Sequence, residues 1–398
     1  MKKIIYLFIL FLIPINVFSF NINSKNAILY NMNDNTILYK VKENERVSIA
    51  SMTKIMTCIV AIENIDELEK QVKITSNMFY RLKEENASVA GFTIGETVTY
   101  RDLLYGLMLP SGADAAQALA ILTSGSIDNF VVKMNDKAKK LNLKNTHFSN
   151  PAGLDSKDNY SSVYDVAQIL KYALNNKTFK NVFNASKYTT SNGRHTFLST
   201  RNKYNIDTSI IDGSKTGFTY DAGLCLASTS HYSGVNYLLV TANAPYSDRT
   251  NHFKDANKIY KYYFENYEEK LISNKGDLIT SITLYDGTSV NYSTNKEIKK
   301  YLKKKCDLKK VYTGKVLTTK EDKLNDKLGE YIIKCDDKIL YKEDIYLNID
   351  PTVKKDSMYI YYIIGIITSM VLILFFTFII IIKRKKKRKK RRRKSLNY

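Results

Sequence analysis

Residues 26–39 (NAILYNMNDNTILY) alternate apolar and polar positions on either side of Asn33-Asp34-Asn35, a pattern that predicts a β-hairpin. Residues 51–64 place Met52, Ile55, Met56, Ile59, Val60 and Ile62 at helical spacing. The same periodicity predicts helices over 100–108, 115–123, 163–175 and 255–267. Residues 212–219 and 223–230 read as strands around a turn at Tyr220-Asp221-Ala222, and 237–242 (YLLVTA) as a buried strand. Strands at both ends with helices between them predict an α/β domain over residues 20–268. The pattern then changes. Residues 279–292 alternate around Asp286-Gly287, and 329–348 alternate around Asp336-Asp337, so a small all-β domain is expected at 270–348.

The two ends of the chain obey a different rule. Lys2 and Lys3 precede an apolar run, and small residues follow near Ser19, so residues 1–19 read as a secretory signal. Residues 358–382 carry no charge and are almost wholly apolar, long enough to span a bilayer. Twelve consecutive Lys or Arg residues, Lys383 to Lys394, come next. Such a run stays on the cytoplasmic side, so the expected topology is single-pass, with the domains outside and residues 383–398 inside. The run also explains the charge. Of the formal +22, twelve charges sit in the tail and two at Lys2 and Lys3, leaving +8 for everything else. High basicity therefore gives no reason to expect nucleic-acid binding; an anionic lipid surface suffices as the tail's partner.

Export permits disulfides, and Cys306 and Cys335 are a possible pair among the four cysteines, which the sequence leaves open. No Cys/His cluster suggests a metal.

Three short segments stand out chemically. Ser51-Met52-Thr53-Lys54 puts a hydroxyl and an amine three residues apart on one helical face, where the amine can serve as the base that a serine nucleophile needs. The helix N-terminus would favour oxyanion charge there. Ser111-Gly112-Ala113 supplies a second hydroxyl in a loop before a helix, and Lys215-Thr216-Gly217 lies on an expected strand. Alone, each is equally compatible with a helix-start serine, a turn serine and a solvated strand lysine. Ser-x-x-Lys even recurs at Ser293–Lys296 without further company. Their order, with 60 and 104 residues between leading positions, is the combined signal.

On these segments, together with SIASMTKIMT (48–57), FSNPAGLD (148–155) and DGSKTGFT (212–219), the chain resembles the D-alanyl-D-alanine carboxypeptidase family of low-molecular-mass penicillin-binding proteins. The resemblance implies a β-lactamase/transpeptidase-like fold, an antiparallel sheet flanked by helices, with the small β-sandwich as a spacer. It implies removal of the terminal D-alanine from peptidoglycan stem peptides through an acyl-enzyme on Ser51, with no metal or organic cofactor, and covalent inhibition by β-lactams. Lys54 would be the general base and Ser111 a proton relay. Lys215, Thr216 and Gly217 would bind the substrate, with Phe218 N–H joining Ser51 N–H in an oxyanion hole. Arg249 resembles the family's carboxylate-binding arginine, though it also fits a surface arginine ahead of a helix.

Ala113 departs from the family, which usually has asparagine there. That substitution favours an alternative, a catalytically poor penicillin-binding scaffold. A serine β-lactamase is a second alternative, but no segment between the second and third motifs offers a carboxylate for deacylation.

Overall fold

The computed structural model describes residues 21–349 and 357–394. The expected signal segment, residues 1–19, lies outside them, as do the final residues of the basic tail. The chain divides into two compact units between Glu269 and Lys270.

In the first unit the expected hairpin forms as β1 (Asn26–Asn31) and β2 (Thr36–Val41). A single 3-10 turn, Ala50–Met52, leads into α1 (Thr53–Ile62). A short strand pair, β3 (Gln71–Lys73) and β4 (Thr97–Thr99), precedes five helices. These are α2 (Tyr100–Met108), α3 (Ala113–Ser124), α4 (Ile127–Lys140), α5 (Val163–Leu174) and α6 (Lys177–Asn184). A second short pair, β5 (Lys187–Thr189) and β6 (Thr196–Leu198), is followed by β7 (Gly213–Thr219), β8 (Gly223–Tyr232), β9 (Val235–Ala244) and α7 (Asn251–Asn266).

The main sheet is antiparallel in the order β2-β1-β9-β8-β7. The two-residue period of β9 sorts its side chains between two layers. Leu238, Val240 and Ala242 join the large core with α1 and α5. Tyr237, on the other face, meets Tyr260 and Phe264 of α7. Strands β2 and β7 are the two edges of this sheet, and β7 lies against the turn that carries Ser51.

Local chemistry sets the helix ends. Thr99 and Asp102 form a reciprocal cap on α2: Asp102 N–H donates to Thr99 Oγ1 at 3.1 Å and Thr99 N–H to Asp102 Oδ2 at 2.8 Å. Gly125, at φ +79°, ends α3, and Ser126 caps α4 at once by accepting from Asn129 N–H. The sequence reading missed α4 because only Phe130, Met134 and Ala138 are fully buried along it, a thin stripe among lysines and acids. It also began two helices late. The structure starts α3 at Ala113 and α7 at Asn251, where the first turns are too polar to register in an apolar period.

The strand β10 (Tyr267–Ser273) runs across the division, and the second unit is all-β up to its last helix, with β11 (Leu278–Thr283), β12 (Ser289–Ser293), β13 (Ile298–Lys303), β14 (Leu308–Gly314), β15 (Lys327–Cys335) and β16 (Lys338–Tyr346). They form sheets β10-β13, β11-β12 and β14-β15-β16 around a core that includes Ile282, Leu302, Ile333 and Leu347. Cys306 and Cys335 are joined in a disulfide, while Cys58 and Cys225 are buried thiols in the first unit. A core this small gains from a covalent link.

The chain then forms one long helix, α8 (Ser357–Lys394). Its stretch from Tyr361 to Arg388 is long and apolar enough to cross a membrane and has none of its apolar window buried against protein. The uncharged part alone, to Ile382, rises roughly 33 Å at about 1.5 Å per residue, slightly more than the hydrocarbon thickness of a bilayer.

Candidate active site

Helix α1 is unusual in being buried on nearly every side, and its buried set includes Thr53, Lys54 and Thr57. Polar groups in such a place need partners. Thr57 Oγ1 donates to Pro151 O at 2.7 Å. Lys54, only 2% exposed, donates through Nζ to Ser51 Oγ at 2.9 Å and to Ala152 O at 2.5 Å. The i, i+3 geometry expected from the sequence thus brings amine and hydroxyl into contact.

The Ala152 carbonyl is held in place from behind. Asn150 Oδ1 accepts from the N–H groups of Ala152, Gly153 and Leu154 at 3.1, 2.8 and 3.0 Å, and its amide donates to Leu154 O. Gly153, at φ +77°, packs so closely that a Cβ there would lie 2.0 Å from Ala50 O. The loop therefore presses directly on the residue before Ser51. Ala50 itself has φ +46°, and Ser111 has φ +67°. Non-glycine residues in that region cost roughly 1–3 kcal/mol each and concentrate at functional sites.

Ser111 meets the third segment. Lys215 Nζ donates to Ser111 Oγ and to Thr216 O, both at 2.8 Å, and Thr216 Oγ1 donates to Thr200 Oγ1 at 2.8 Å. Gly217 lies beside the nucleophile's backbone, where a Cβ would come within 3.0 Å of both Ser51 N and Ala50 Cβ. Three segments far apart in sequence thus converge on one cleft along the free side of β7.

Its electrostatics follow from burial. Desolvation pushes the Lys54 amine down to about 7, against the opposing pull of the Asp114 carboxylate. Lys215, fully buried, is held well below the usual lysine range by desolvation first and then by the charges of Lys54 and Lys203. Asp114 is itself buried and anchors the neighbouring loop by accepting from Ala90, Gly91 and Phe92 N–H. Ala113 heads α3, fully enclosed, with its N–H on Ser88 O.

Phe218 and Arg249 sit further out. Phe218 stacks on Tyr246 with ring centroids 4.1 Å apart, and the Arg249 guanidinium lies over the same Tyr246 ring at 5.1 Å. Arg249 is exposed, so it stands at the rim near the end of β7 and not in the buried part of the cleft.

The sequence reading passed over the Ala152 carbonyl, the Asn150 staple and Thr200. The first two fall within FSNPAGLD, whose Asn-Pro and Gly are turn signals that mark a loop but not what its carbonyls touch. Thr200 carried no signal.

A model of the D-alanyl-D-alanine carboxypeptidase peptidases matches residues 15–246. The chain belongs to that family. The serine D-Ala-D-Ala carboxypeptidase is 30% identical to D-alanyl-D-alanine carboxypeptidase DacF of Bacillus subtilis over 84% of its own length and 86% of the relative's. The crystal structure of a Streptomyces DD-transpeptidase superposes on 61% of the carboxypeptidase and 98% of itself, with a TM-score of 0.56 and 31% identity. The carboxypeptidase DacD of Francisella tularensis, at 19% identity, shares the fold over 84% of this chain and 95% of its own, with a TM-score of 0.67. The expected fold class and activity both stand.

Proposed function

We propose that this carboxypeptidase removes the terminal D-alanine from peptidoglycan stem peptides through an acyl-enzyme on Ser51. The observation that carries this reading is the 2.9 Å contact between a buried lysine amine that titrates near neutrality and the Ser51 hydroxyl. In its neutral form Lys54 takes the hydroxyl proton as Ser51 Oγ bonds to the carbonyl carbon between the two D-alanines. The tetrahedral oxyanion would be met by Ser51 N–H and Phe218 N–H. Collapse breaks the C–N bond. The proton that Lys54 gained passes through Ser111, which the Lys215 contact orients, to the leaving amine, so Lys54 is neutral again. Water then attacks the ester with Lys54 again as base, releasing the shortened peptide.

Lys215 and Thr216 bind the substrate's terminal carboxylate. Arg249 at the rim supplies a bidentate partner that draws the carboxylate in. Gly217 lets the substrate backbone lie against β7 as an added strand. Ala113 removes one amide from this arrangement without touching the Ser51–Lys54 pair, so turnover is retained at reduced rate.

Residues 20–268 are assigned as the peptidase domain, 270–348 as a spacer, 358–382 as the membrane span and 383–398 as a cytoplasmic tail at anionic lipid. The catalytic domain lies outside the cell after removal of residues 1–19. The test is labelling with a fluorescent penicillin. Wild type should form a covalent adduct and Ser51→Ala none; an adduct of equal yield on Ser51→Ala would remove Ser51 as nucleophile.

A further inference from the structure

Five exposed apolar side chains of the second unit collect at one end of its three-stranded sheet. In that sheet Gly314 stands opposite Gly329, and Lys327 opposite Tyr346, so the loop from β14 to β15 and the exit of β16 share an end. Two further bonds close it: Asn325 N–H donates to Leu347 O at 2.8 Å and Leu347 N–H to Asp326 O at 2.9 Å. Val316, Leu317 and Leu324 lie on the loop and Tyr346 and Ile349 at the exit, each 42 to 61% exposed. Single apolar residues on a surface need no explanation, but a cluster marks a contact.

The exposure does not come from a loose loop. Thr283 N–H donates to Val316 O and Thr318 N–H to Thr283 O, both at 2.9 Å, and Tyr285 N–H donates to Thr318 Oγ1 at 3.0 Å. Asp322, buried beneath the loop, accepts from Lys315 Nζ at 2.5 Å and from Thr319 N–H at 2.7 Å. The backbone at Val316 and Leu317 is therefore pinned while their side chains stay in water.

What covers them follows from where the chain goes next. Seven residues, 350–356, separate Ile349 from Ser357, the first residue of α8. Even fully extended, that connection reaches about 28 Å at most. The apolar end of the sheet is thus the end tethered to the apolar helix, whereas Ile339, also exposed, stands at the far end of β16. Lys320 and Lys323, exposed in the same loop, suit a headgroup layer, because their stems can lie along apolar surface while the ammonium groups stay hydrated. Tyr346 is of the residue type that favours a membrane–water boundary.

We infer that this end of the second unit is a lipid-binding foot, with Val316, Leu317, Leu324, Tyr346 and Ile349 dipping into the interface of the leaflet that α8 enters. This rests on α8 being the membrane span assigned above. The second unit then stands on the lipid surface instead of trailing from a free tether.

The test uses the full chain in vesicles of phosphatidylglycerol and phosphatidylcholine, the phosphatidylcholine acyl chains being either plain or brominated near the headgroup. Cys58 and Cys225 are buried and Cys306 is bonded to Cys335, so a bimane label goes to a cysteine introduced at the surface. The label on Leu317→Cys should lose about half its emission to the bromines, at an interfacial depth of roughly 5–10 Å. Adding Val316→Ser and Leu324→Ser to that chain should weaken the quenching about threefold by removing apolar area from the contact. Ile339→Cys should be unaffected. Leu374→Cys, inside the uncharged stretch of α8, reports the span itself and should be quenched. Quenching of Leu374→Cys without quenching of Leu317→Cys overturns the foot and keeps the span, whereas no quenching at Leu374→Cys removes both. Equal quenching at Leu317→Cys and Ile339→Cys, or quenching that the two serines leave intact, overturns the foot. Emission from Leu317→Cys that is blue-shifted yet insensitive to bromine assigns the patch to a second copy of the chain and overturns it as well.

Discussion

If Lys54 is the base, the rate of Ser51 acylation must follow the neutral fraction of one buried amine. An ordinary lysine titrates near 10.4, so about one in 2,500 is neutral at pH 7. Burial brings Lys54 down to about 7, which makes about half of it neutral at the same pH. The gain in competent base is therefore about 10³-fold. The assay is the second-order rate of fluorescent-penicillin acylation between pH 5 and 9, a range in which the β-lactam carboxylate stays ionised and adds no limb of its own. The rate should rise about tenfold per unit below pH 7 and level off above it. Lys54→Met should abolish that limb and lower the plateau by about 10²–10⁴-fold, the usual worth of a positioned base. A rate independent of pH across this range, or still climbing at pH 9, would refute the assignment.

The same shift has a signature in stability. Between about 7 and 10.4 the unfolded chain binds a proton at this lysine that the folded chain does not. Stability therefore rises with pH through that window, and the penalty is fully present below it. Its size is on the order of 5 kcal/mol at neutral pH. Lys54→Met recovers only part of this, because Ala152 O then loses its donor. A net gain of about 1–3 kcal/mol, seen as a Tm higher by roughly 3–8 °C at pH 7 and shrinking toward pH 10, is the expected result. A variant that melts lower than wild type at pH 7 would show that the charge is stabilised in the fold after all.

Other consequences follow from close approaches and from the two-unit organisation. Gly217→Ala places a methyl against Ser51 N and Ala50 Cβ, so acylation should fall about 100-fold while melting shifts little; a rate within threefold of wild type would mean that β7 has room to move. Gly153→Ala meets Ala50 O head-on at a positive φ and should cost more than about 3 kcal/mol, read by urea unfolding. Reducing the Cys306–Cys335 bridge, which closes a loop of 29 residues, should destabilise the β unit by about 3–4 kcal/mol by the loop-entropy estimate yet leave penicillin labelling of the first unit unchanged; lost labelling would show that the two units depend on each other.

How much of this was legible beforehand depended on whether a signal was local. Ser51 and Lys54 lie one turn apart, so helical geometry alone brings them into contact. The hairpin of β1 and β2 and the strands β7 to β9 were equally plain, because buried strands advertise themselves in runs such as YLLVTA. What no local pattern contained was the pairing of Lys215 with Ser111 across 104 residues, or the Ala152 carbonyl on Lys54. Those contacts depend on how an edge strand and a loop are carried onto α1 by the rest of the domain. Arg249 shows the opposite failure. Its position before a helix was readable, but its place at the rim is set by Tyr246 and Phe218, neither of which marks itself in sequence.

The cleft's two lysines place a constraint on the order of events. Each is almost fully enclosed, each is pushed toward its neutral form by desolvation, and the charge of Lys54 further depresses Lys215. Two ammonium groups in so dry a space repel each other strongly, so the empty cleft disfavours having both charged. In the proposed mechanism one must be neutral to accept the Ser51 proton while the other is cationic to hold a carboxylate. The substrate resolves the conflict. Its carboxylate, arriving between Lys215 and Thr216, stabilises the charged form of the nearer amine. In that mechanism the proton is then held on Lys215, and Lys54 is left free to act as base. Catalytic competence is thus assembled by the ligand's own charge. A peptide lacking the terminal carboxylate would be a poor substrate for a reason beyond weak binding: it fails to divide the protonation states that the chemistry requires.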